Sequence, residues 1–229
     1  MTGIDTLQGV LRAAGLYGGR VDGKWGTLTR AATLVGLTIG PDTKLTDRDI
    51  ELSASILGVT PAHIMAVRTV ESGGAGFTDG RPTILFEPHR FAKATGGRFN
   101  ASHPHVSYQA WGSRPYPAGQ AARYEQLLDA IALDVDAGFA SASYGLFQIL
   151  GENFNACGFW TPGQFALAMA RDERAQLEAL EGFLRTNGLV EPLRRGDWAA
   201  FARGYNGTAY RANRYDEKLA AAFRAAGGR

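Results

Sequence analysis

The sequence predicts a mainly α-helical fold with a small β element. Apolar residues recur at helical spacing through most of the 229 residues, and capping or breaking residues bound several of these segments. Residues 83–87, by contrast, form a short β-branched and aromatic run that is typical of a strand. Hydrophobic residues make up 45% of the chain, as expected for a globular protein that buries a core.

The first 38 residues predict a small helical module. Apolar residues recur at helical spacing between positions 7 and 14, and Gly15 is expected to end this helix. Glycines and an Asp-Gly dipeptide then indicate tight turns. Either Thr27 or Thr29 is expected to cap a second helix.

A linker is predicted to join this module, residues 1–38, to a main domain. The linker is residues 39–46, with Gly-Pro at its centre, and the main domain is residues 47–229. Thr46 and the aspartate three residues later form a weak capping-box pattern, which predicts the start of a helix that Gly58 ends.

The next predicted helix carries a carboxylate at its C-terminal end. Pro61 occupies its first position, and Ile64, Val67 and Glu71 share one face. Because that face should point to a core or a cleft floor, we expect desolvation to keep the Glu71 carboxyl group protonated, so that it can donate a proton. The alternative is a solvent-exposed glutamate at a helix end, before the glycine-rich break at residues 72–76.

The predicted strand, residues 83–87, ends beside several charged groups. Glu87 is followed within three residues by His89 and Arg90, which predicts either a functional carboxylate or a charge-paired strand end. Residues 94–120 are predicted to be a long loop that lines a groove. Its aromatic residues could stack on sugar faces or cover the core; they are Tyr108, Trp111 and Tyr116.

The rest of the chain is predicted to be helical, with interruptions. A nearly all-round apolar helix should run from Tyr124 to Val135, and residues 141–149 should form a tight apolar turn or helix that contains Gln148. Further helices are expected at residues 165–169, at 177–184, from Trp198 to a break at 203–207, and at 210–223.

Composition excludes several functions. The net charge of +2 predicts no nucleic-acid partner, and the lone Cys157 excludes an internal disulfide or a cysteine-based zinc site. His103 and His105 have no partner at metal-ligand spacing, so we expect no metal and no cofactor. We also expect no stable membrane insertion, because no apolar run is long enough to cross a bilayer, and no secretion signal at the start.

The first segment resembles the helical peptidoglycan-binding module found on many cell-wall hydrolases. The resemblance rests on Leu7-Gln8, Leu11, Gly15, Tyr17, residues 21–26, Thr29 and Ala32. It implies that Asp22, Gly23 and Trp25 belong to a wall-binding turn. The alternative is a helical hairpin that merely packs on the main domain.

Three separated motifs resemble the lysozyme-like superfamily, especially soluble lytic transglycosylases and goose-type lysozymes. They are Glu-Ser-Gly-Gly at residues 71–74, Ser-Tyr-Gly-Leu-Phe-Gln-Ile at 143–149 and Ala-Arg-Gly-Tyr-Asn-Gly at 202–207. A closer resemblance, over residues 45–225, is to the N-acetylmuramidase domain of phage endolysins that attack Gram-negative walls. Its family motifs match Leu-Phe-Glu-Pro-His-Arg-Phe at 85–91, the segment 141–149, and the segment 197–207.

This resemblance implies a lysozyme-like catalytic domain in which Glu71 is the general acid. Glu71 would protonate the oxygen that links N-acetylmuramic acid to N-acetylglucosamine. A second carboxylate would be Glu87 or Asp79, by sequence position. Lytic transglycosylases on the same fold instead use one glutamate and form an anhydro product.

The same resemblance implies which residues shape the cleft and bind substrate. They are Ser143, Gln148, Tyr205 and Asn206. The expected partner is bacterial peptidoglycan, and the protein is expected to be a monomer, made in the host cytoplasm and active in the periplasm. A phage endolysin and an injected toxin both fit, and a non-catalytic wall-binding protein is the alternative from another class.

Overall fold

The computed structural model, which describes residues 3–38, 40, 44–71 and 75–229, confirms a mainly α-helical fold with a small β element. Residues 39 and 41–43 of the predicted linker and residues 72–74 of the glycine-rich break lie outside the described residues. The helices are α1 Gly3–Ala13, α2 Thr27–Gly36, α3 Asp47–Leu57, α4 Pro61–Glu71, α5 Pro88–Ala94, α6 Gln120–Leu133, α7 Val135–Ala140, α8 Pro162–Met169, α9 Glu173–Thr186, α10 Val190–Arg194, α11 Trp198–Asn206 and α12 Tyr215–Ala225. The strands are β1 Phe77–Thr78, β2 Arg81–Pro82, β3 Ile84–Phe86, β4 Ala142–Tyr144 and β5 Ile149–Leu150, and short 3-10 helices lie at Gly151–Asn153 and Thr208–Asn213.

The buried Gln8 of α1 organises the turn before α2. Its side-chain oxygen accepts hydrogen bonds from the backbone N–H groups of Asp22 and Gly23, both at 2.9 Å. Its amide nitrogen lies 3.0 Å from the hydroxyl oxygen of Thr29. The N-cap of α2 is Gly26, so the expectation that Thr27 or Thr29 caps this helix is wrong. Thr29 is instead buried and takes part in the Gln8 network.

Replacing the buried Gln8 by alanine is expected to lower the free energy of unfolding by about 2 kcal/mol, because the partly buried backbone donors of Asp22 and Gly23 would lose their acceptor. Urea unfolding of both proteins measures this change. Gln164 is exposed and accepts a hydrogen bond from the backbone of Trp160, so Gln164→Ala is the matched control and should stay within about 0.5 kcal/mol. A similar loss in both variants would contradict the special role of Gln8.

The helices α3 and α4 form a sharply bent pair. Thr46 and Asp49 make the reciprocal capping box that the sequence predicted, and Gly58 ends α3 in the left-handed conformation. Within the described residues, none of the helices alone is long and apolar enough to span a membrane, although α3 and α4, bent by 111°, together pass that test of length and composition.

The β element is larger than the sequence indicated. The strands β3, β4 and β5 pair in that order in an antiparallel sheet, and β1 pairs with β2 in a separate hairpin. The interpretation of residues 141–149 as a turn or helix therefore missed β4 and β5. The missing signal is long-range, because β4 forms by pairing with β3, whose Leu85 lies opposite Ser143.

Helix boundaries differ from the predictions at several points. The long apolar helix from Tyr124 is divided by Asp134, whose carboxylate caps α7 by accepting from the Ala137 N–H. The sequence predicted a break in α11 at residues 203–207. This helix continues to Asn206, so the predicted start of the break is wrong. Residues 94–120 are confirmed as a long connection, with α5 ending at its start and α6 beginning at its end.

One buried apolar cluster joins the N-terminal helices to the rest of the chain. Leu11 of α1 and Leu37, just after α2, are fully buried in the same cluster as Phe139 and Phe165. The division at residues 38–47 stays a prediction, but α1 contacts α7 directly. The first segment therefore packs on the main helical body, and wall binding by this segment stays a prediction.

Candidate active site

Glu71 lies at the end of α4, where the helix contacts α11 and α12. Ile64 and Val67, on the same face, are fully buried, which confirms that this face points inward. The side-chain N–H of Asn206, at the end of α11, donates a hydrogen bond to Oε1 of Glu71 at 2.9 Å. The helix α12 crosses α4 and brings Lys218 and Tyr215 close enough to interact electrostatically with Glu71.

Burial raises the pKa of Glu71 to about 7, although the hydrogen bond from Asn206 and the positive charge of Lys218 oppose the shift. The pKa rises because desolvation penalises the carboxylate more than the Asn206 hydrogen bond and the Lys218 ammonium stabilise it. A carboxyl group with this pKa carries its proton in a large fraction of molecules near neutral pH. It therefore has the protonation state that a general acid needs.

Tyr205 positions the segment that holds Asn206. Its hydroxyl donates to the backbone oxygen of Phe147 at 2.8 Å, and its ring stacks on Phe201 with centroids 5.5 Å apart. Burial and the neighbouring charge of Glu71 hold the pKa of the Tyr205 phenol well above its usual range. The structure thus brings Glu71, Asn206 and Tyr205 together, and the turn between β4 and β5 adjoins them through Phe147.

Ser143 and Gln148 are linked to each other within the β4–β5 hairpin. The Ser143 hydroxyl donates to the side-chain oxygen of Gln148 at 2.8 Å. The Gln148 amide nitrogen donates to the backbone oxygens of Thr83 and Gly145, at 3.0 and 2.8 Å. These contacts occupy the side-chain amide and hold Gln148 at a φ of +47°, so they fix the turn next to Phe147. Direct substrate binding by Ser143 and Gln148 stays a prediction.

Glu87 follows β3 and precedes α5, with its side chain only 15% exposed. Its carboxylate lies 3.3 Å from Nε2 of His89 and 3.5 Å from Nε of Arg90, and Arg90 also pairs with Glu152. The charge-paired strand end is therefore confirmed as a structure. A catalytic role for Glu87 stays a prediction.

Asp79 occupies the tip of the β1–β2 hairpin. Thr78 pairs with Arg81, and Asp79 and Gly80 have φ values of +53° and +71°. This is the geometry of a two-residue type I′ turn, for which Asp-Gly is a favoured sequence. The side chain of Asp79 is exposed, and the turn conformation accounts for an aspartate at this position. Its role as a second carboxylate stays a prediction.

Sequence reasoning did not identify Gln176 of α9, which holds the turn of the β4–β5 hairpin by a hydrogen bond. Its buried side chain accepts from the N–H of Leu146 at 2.6 Å and donates to the backbone oxygen of Met169 at 2.9 Å. Gly145, at a φ of +70°, leaves room for this side chain, because a Cβ there would lie 2.4 Å from it. Gln176 lies beside the apolar stripe of α9, and nothing in the neighbouring sequence indicates that it binds the backbone of Leu146.

The residues of the predicted wall-binding turn lie on the surface of the N-terminal helices. Asp22 is exposed, and a hydrogen bond from Gln8 lowers the pKa of its carboxyl group. The backbone of Gly23 is held by Gln8, and Trp25 packs partly buried against the core. Wall binding by these residues stays a prediction.

The described part of the chain contains no group of three His, Cys, Asp or Glu side chains that could hold a metal ion.

Comparisons with known proteins show similarity to a protein family and to a solved structure. The sequence pattern of the N-acetylmuramidase family matches residues 60–227. The crystal structure of Burkholderia AP3 phage endolysin is similar in fold, with a TM-score of 0.72 and 34% sequence identity over 99% of this chain and 95% of that chain. No curated protein matches the sequence.

Proposed function

This chain belongs to the N-acetylmuramidase family, and from that membership we propose that it is a peptidoglycan-cleaving endolysin with Glu71 as its general acid. The bond cleaved is the β-1,4 link between N-acetylmuramic acid and N-acetylglucosamine. The observation that carries the proposal is the Glu71 carboxyl group, buried, bound by Asn206 and shifted to a pKa of about 7. Its proton passes to the bridging oxygen as the C–O bond breaks through an oxocarbenium-like state.

We propose hydrolysis, with Glu87 as the group that activates water. The ion pair with Arg90 supports this role, because it holds the Glu87 side chain in a fixed position after β3. In this reaction one water adds to each cleaved link: its hydroxyl joins the anomeric carbon, and its proton goes to the base. The rival is a lytic transglycosylase, in which a hydroxyl of the sugar itself closes on the anomeric carbon.

Digestion of purified sacculi in water enriched in ¹⁸O separates these reactions. Hydrolysis is expected to give reducing-end fragments that carry one ¹⁸O per cut, as measured by mass spectrometry. Anhydro ends that lack one water per cut would establish the rival. Binding to sacculi without any fragments would contradict both and would favour a non-catalytic wall-binding protein.

The proposal also covers where the protein acts. Its similarity to a phage endolysin supports synthesis in an infected bacterial cytoplasm and action on the periplasmic wall. The N-terminal helices, with Asp22, Gly23 and Trp25, are proposed to contact the wall, and the protein is proposed to act as a monomer.

A further inference from the structure

The connection between α5 and α6 exposes a large aromatic side chain, that of Trp111. Trp111 is 74% exposed, whereas Tyr108 and Tyr116 on the same connection are partly buried. The connection is anchored at several points. Val106 is fully buried, and the side chain of Gln120 bonds both the N–H and the backbone oxygen of Ile84 in β3. The exposed ring is thus carried by a segment whose two ends are fixed.

These rings gather beside Glu87. The Arg114 guanidinium lies 5.7 Å from the centre of the Tyr108 ring. Burial raises the pKa of Tyr116, the charge of Glu87 adds to the shift, and a hydrogen bond from Trp111 opposes it. Tyr116 therefore lies near both the carboxylate and the indole. We call Tyr108, Trp111 and Tyr116 the aromatic cluster.

The aromatic cluster and Glu71 adjoin opposite ends of β4. The Glu87 N–H donates to the backbone oxygen of Ser141, just before β4, at 2.8 Å. The Tyr205 hydroxyl holds Phe147, beyond the other end of the strand. Between these two ends, β4 spans three residues, a length of about 10 Å at 3.3 Å per residue. A glycan chain that reacts at Glu71 and follows the sheet would therefore reach the cluster with a sugar beyond the cleaved link.

We propose that the aromatic cluster is a saccharide subsite, in which the face of Trp111 stacks on an N-acetylhexosamine of the glycan strand. The inference rests on the proposed function, which supplies the glycan. Apolar ring faces match the C–H face of a pyranose, and the neighbouring tyrosine hydroxyls and Arg114 can bond its polar substituents. The role of Trp111 is to position the chain, with proton transfer left to Glu71.

The test measures binding of tri-N-acetylchitotriose, a neutral soluble oligomer, by calorimetry, and the KM and kcat of sacculus lysis. Trp111→Ala is expected to weaken binding about tenfold and to raise KM by a similar factor with kcat nearly unchanged. Trp111→Phe keeps a ring face and should bind within about threefold of the parent. Trp160, 89% exposed before α8, offers the matched control Trp160→Ala, which should bind like the parent.

Equal affinity of the parent and Trp111→Ala for the oligomer would overturn the inference, as would equal losses in the Trp111 and Trp160 variants. A fall in kcat alone would also overturn it, because a positioning residue acts on binding. These outcomes are independent of the proposed function, because the release of glycan fragments from sacculi by the parent protein tests that function separately.

Discussion

Replacing Glu71 by glutamine is expected to reduce the lysis of purified sacculi by at least about a hundredfold, because general acid catalysis contributes a factor of about 10² to 10⁴. Glutamine has nearly the same shape and can accept the hydrogen bond from Asn206, but it cannot deliver a proton to the bridging oxygen. The fall in turbidity of the sacculus suspension, followed at pH 6, measures the rate.

Asp79→Asn is the control for this variant, because the proposed function assigns water activation to Glu87 and gives Asp79 no catalytic role. Asp79, like Glu71, is an acidic residue that precedes β3 in the sequence. Its side chain is exposed at a hairpin tip, and asparagine suits that turn equally well. We expect this variant to lyse within about twofold of the parent. The Glu71→Gln protein should still sediment with sacculi, so loss of lysis would report lost chemistry. Undiminished lysis by Glu71→Gln would exclude the role given to this residue.

Local signals predicted the elements on which the active site depends. The start of α4 at Pro61, the capping box at Thr46 and the strand after residue 83 all arise from residues within a few positions of one another. The inward face of α4 followed from the spacing of Ile64, Val67 and Glu71, because this spacing sets which side chains share a face. The position of Glu71 in the fold was therefore accessible from the sequence.

The sequence did not predict how the site is held together, because those contacts are long-range. The bond from Asn206 to Glu71 joins residues 135 positions apart, and the bond from Leu146 to Gln176 joins residues 30 apart. The extension of α11 to Asn206 also depends on tertiary packing, since Tyr205 is stacked on Phe201 within that helix. Helix propensity alone favoured a break at Gly204.

These contacts connect the acid to the sheet through a short chain of groups. Asn206 binds Glu71, its neighbour Tyr205 binds Phe147, and the adjacent Gln148 ties the turn to Ser143 and Thr83. Each link is a hydrogen bond made by a group that is at least partly buried, so each rigidifies its neighbour. The side chains expected to touch substrate thus also fix the place where the acid sits.

The same burial that prepares Glu71 as an acid should destabilise the fold as the pH rises. Below pH 4.5 the carboxyl group is protonated in both the folded and the unfolded states, so it contributes nothing. Between pH 4.5 and about 7 the unfolded chain loses this proton while the folded protein keeps it, and stability falls. The shift corresponds to about 3 kcal/mol above pH 7.

Glu71→Gln removes this titration, so the variant should be more stable than the parent by about 3 kcal/mol at pH 8 and by about 1 kcal/mol at pH 5. Urea unfolding at both pH values measures the difference, with equal m-values required for the comparison. Glu87→Gln serves as the opposite control: its carboxylate is paired with Arg90, so removing the charge breaks this ion pair and should not stabilise the fold at pH 8. Equal stability of Glu71→Gln and the parent at pH 8 would mean that the Glu71 carboxylate is well solvated, and its proton would then be lost too readily for acid catalysis near neutral pH.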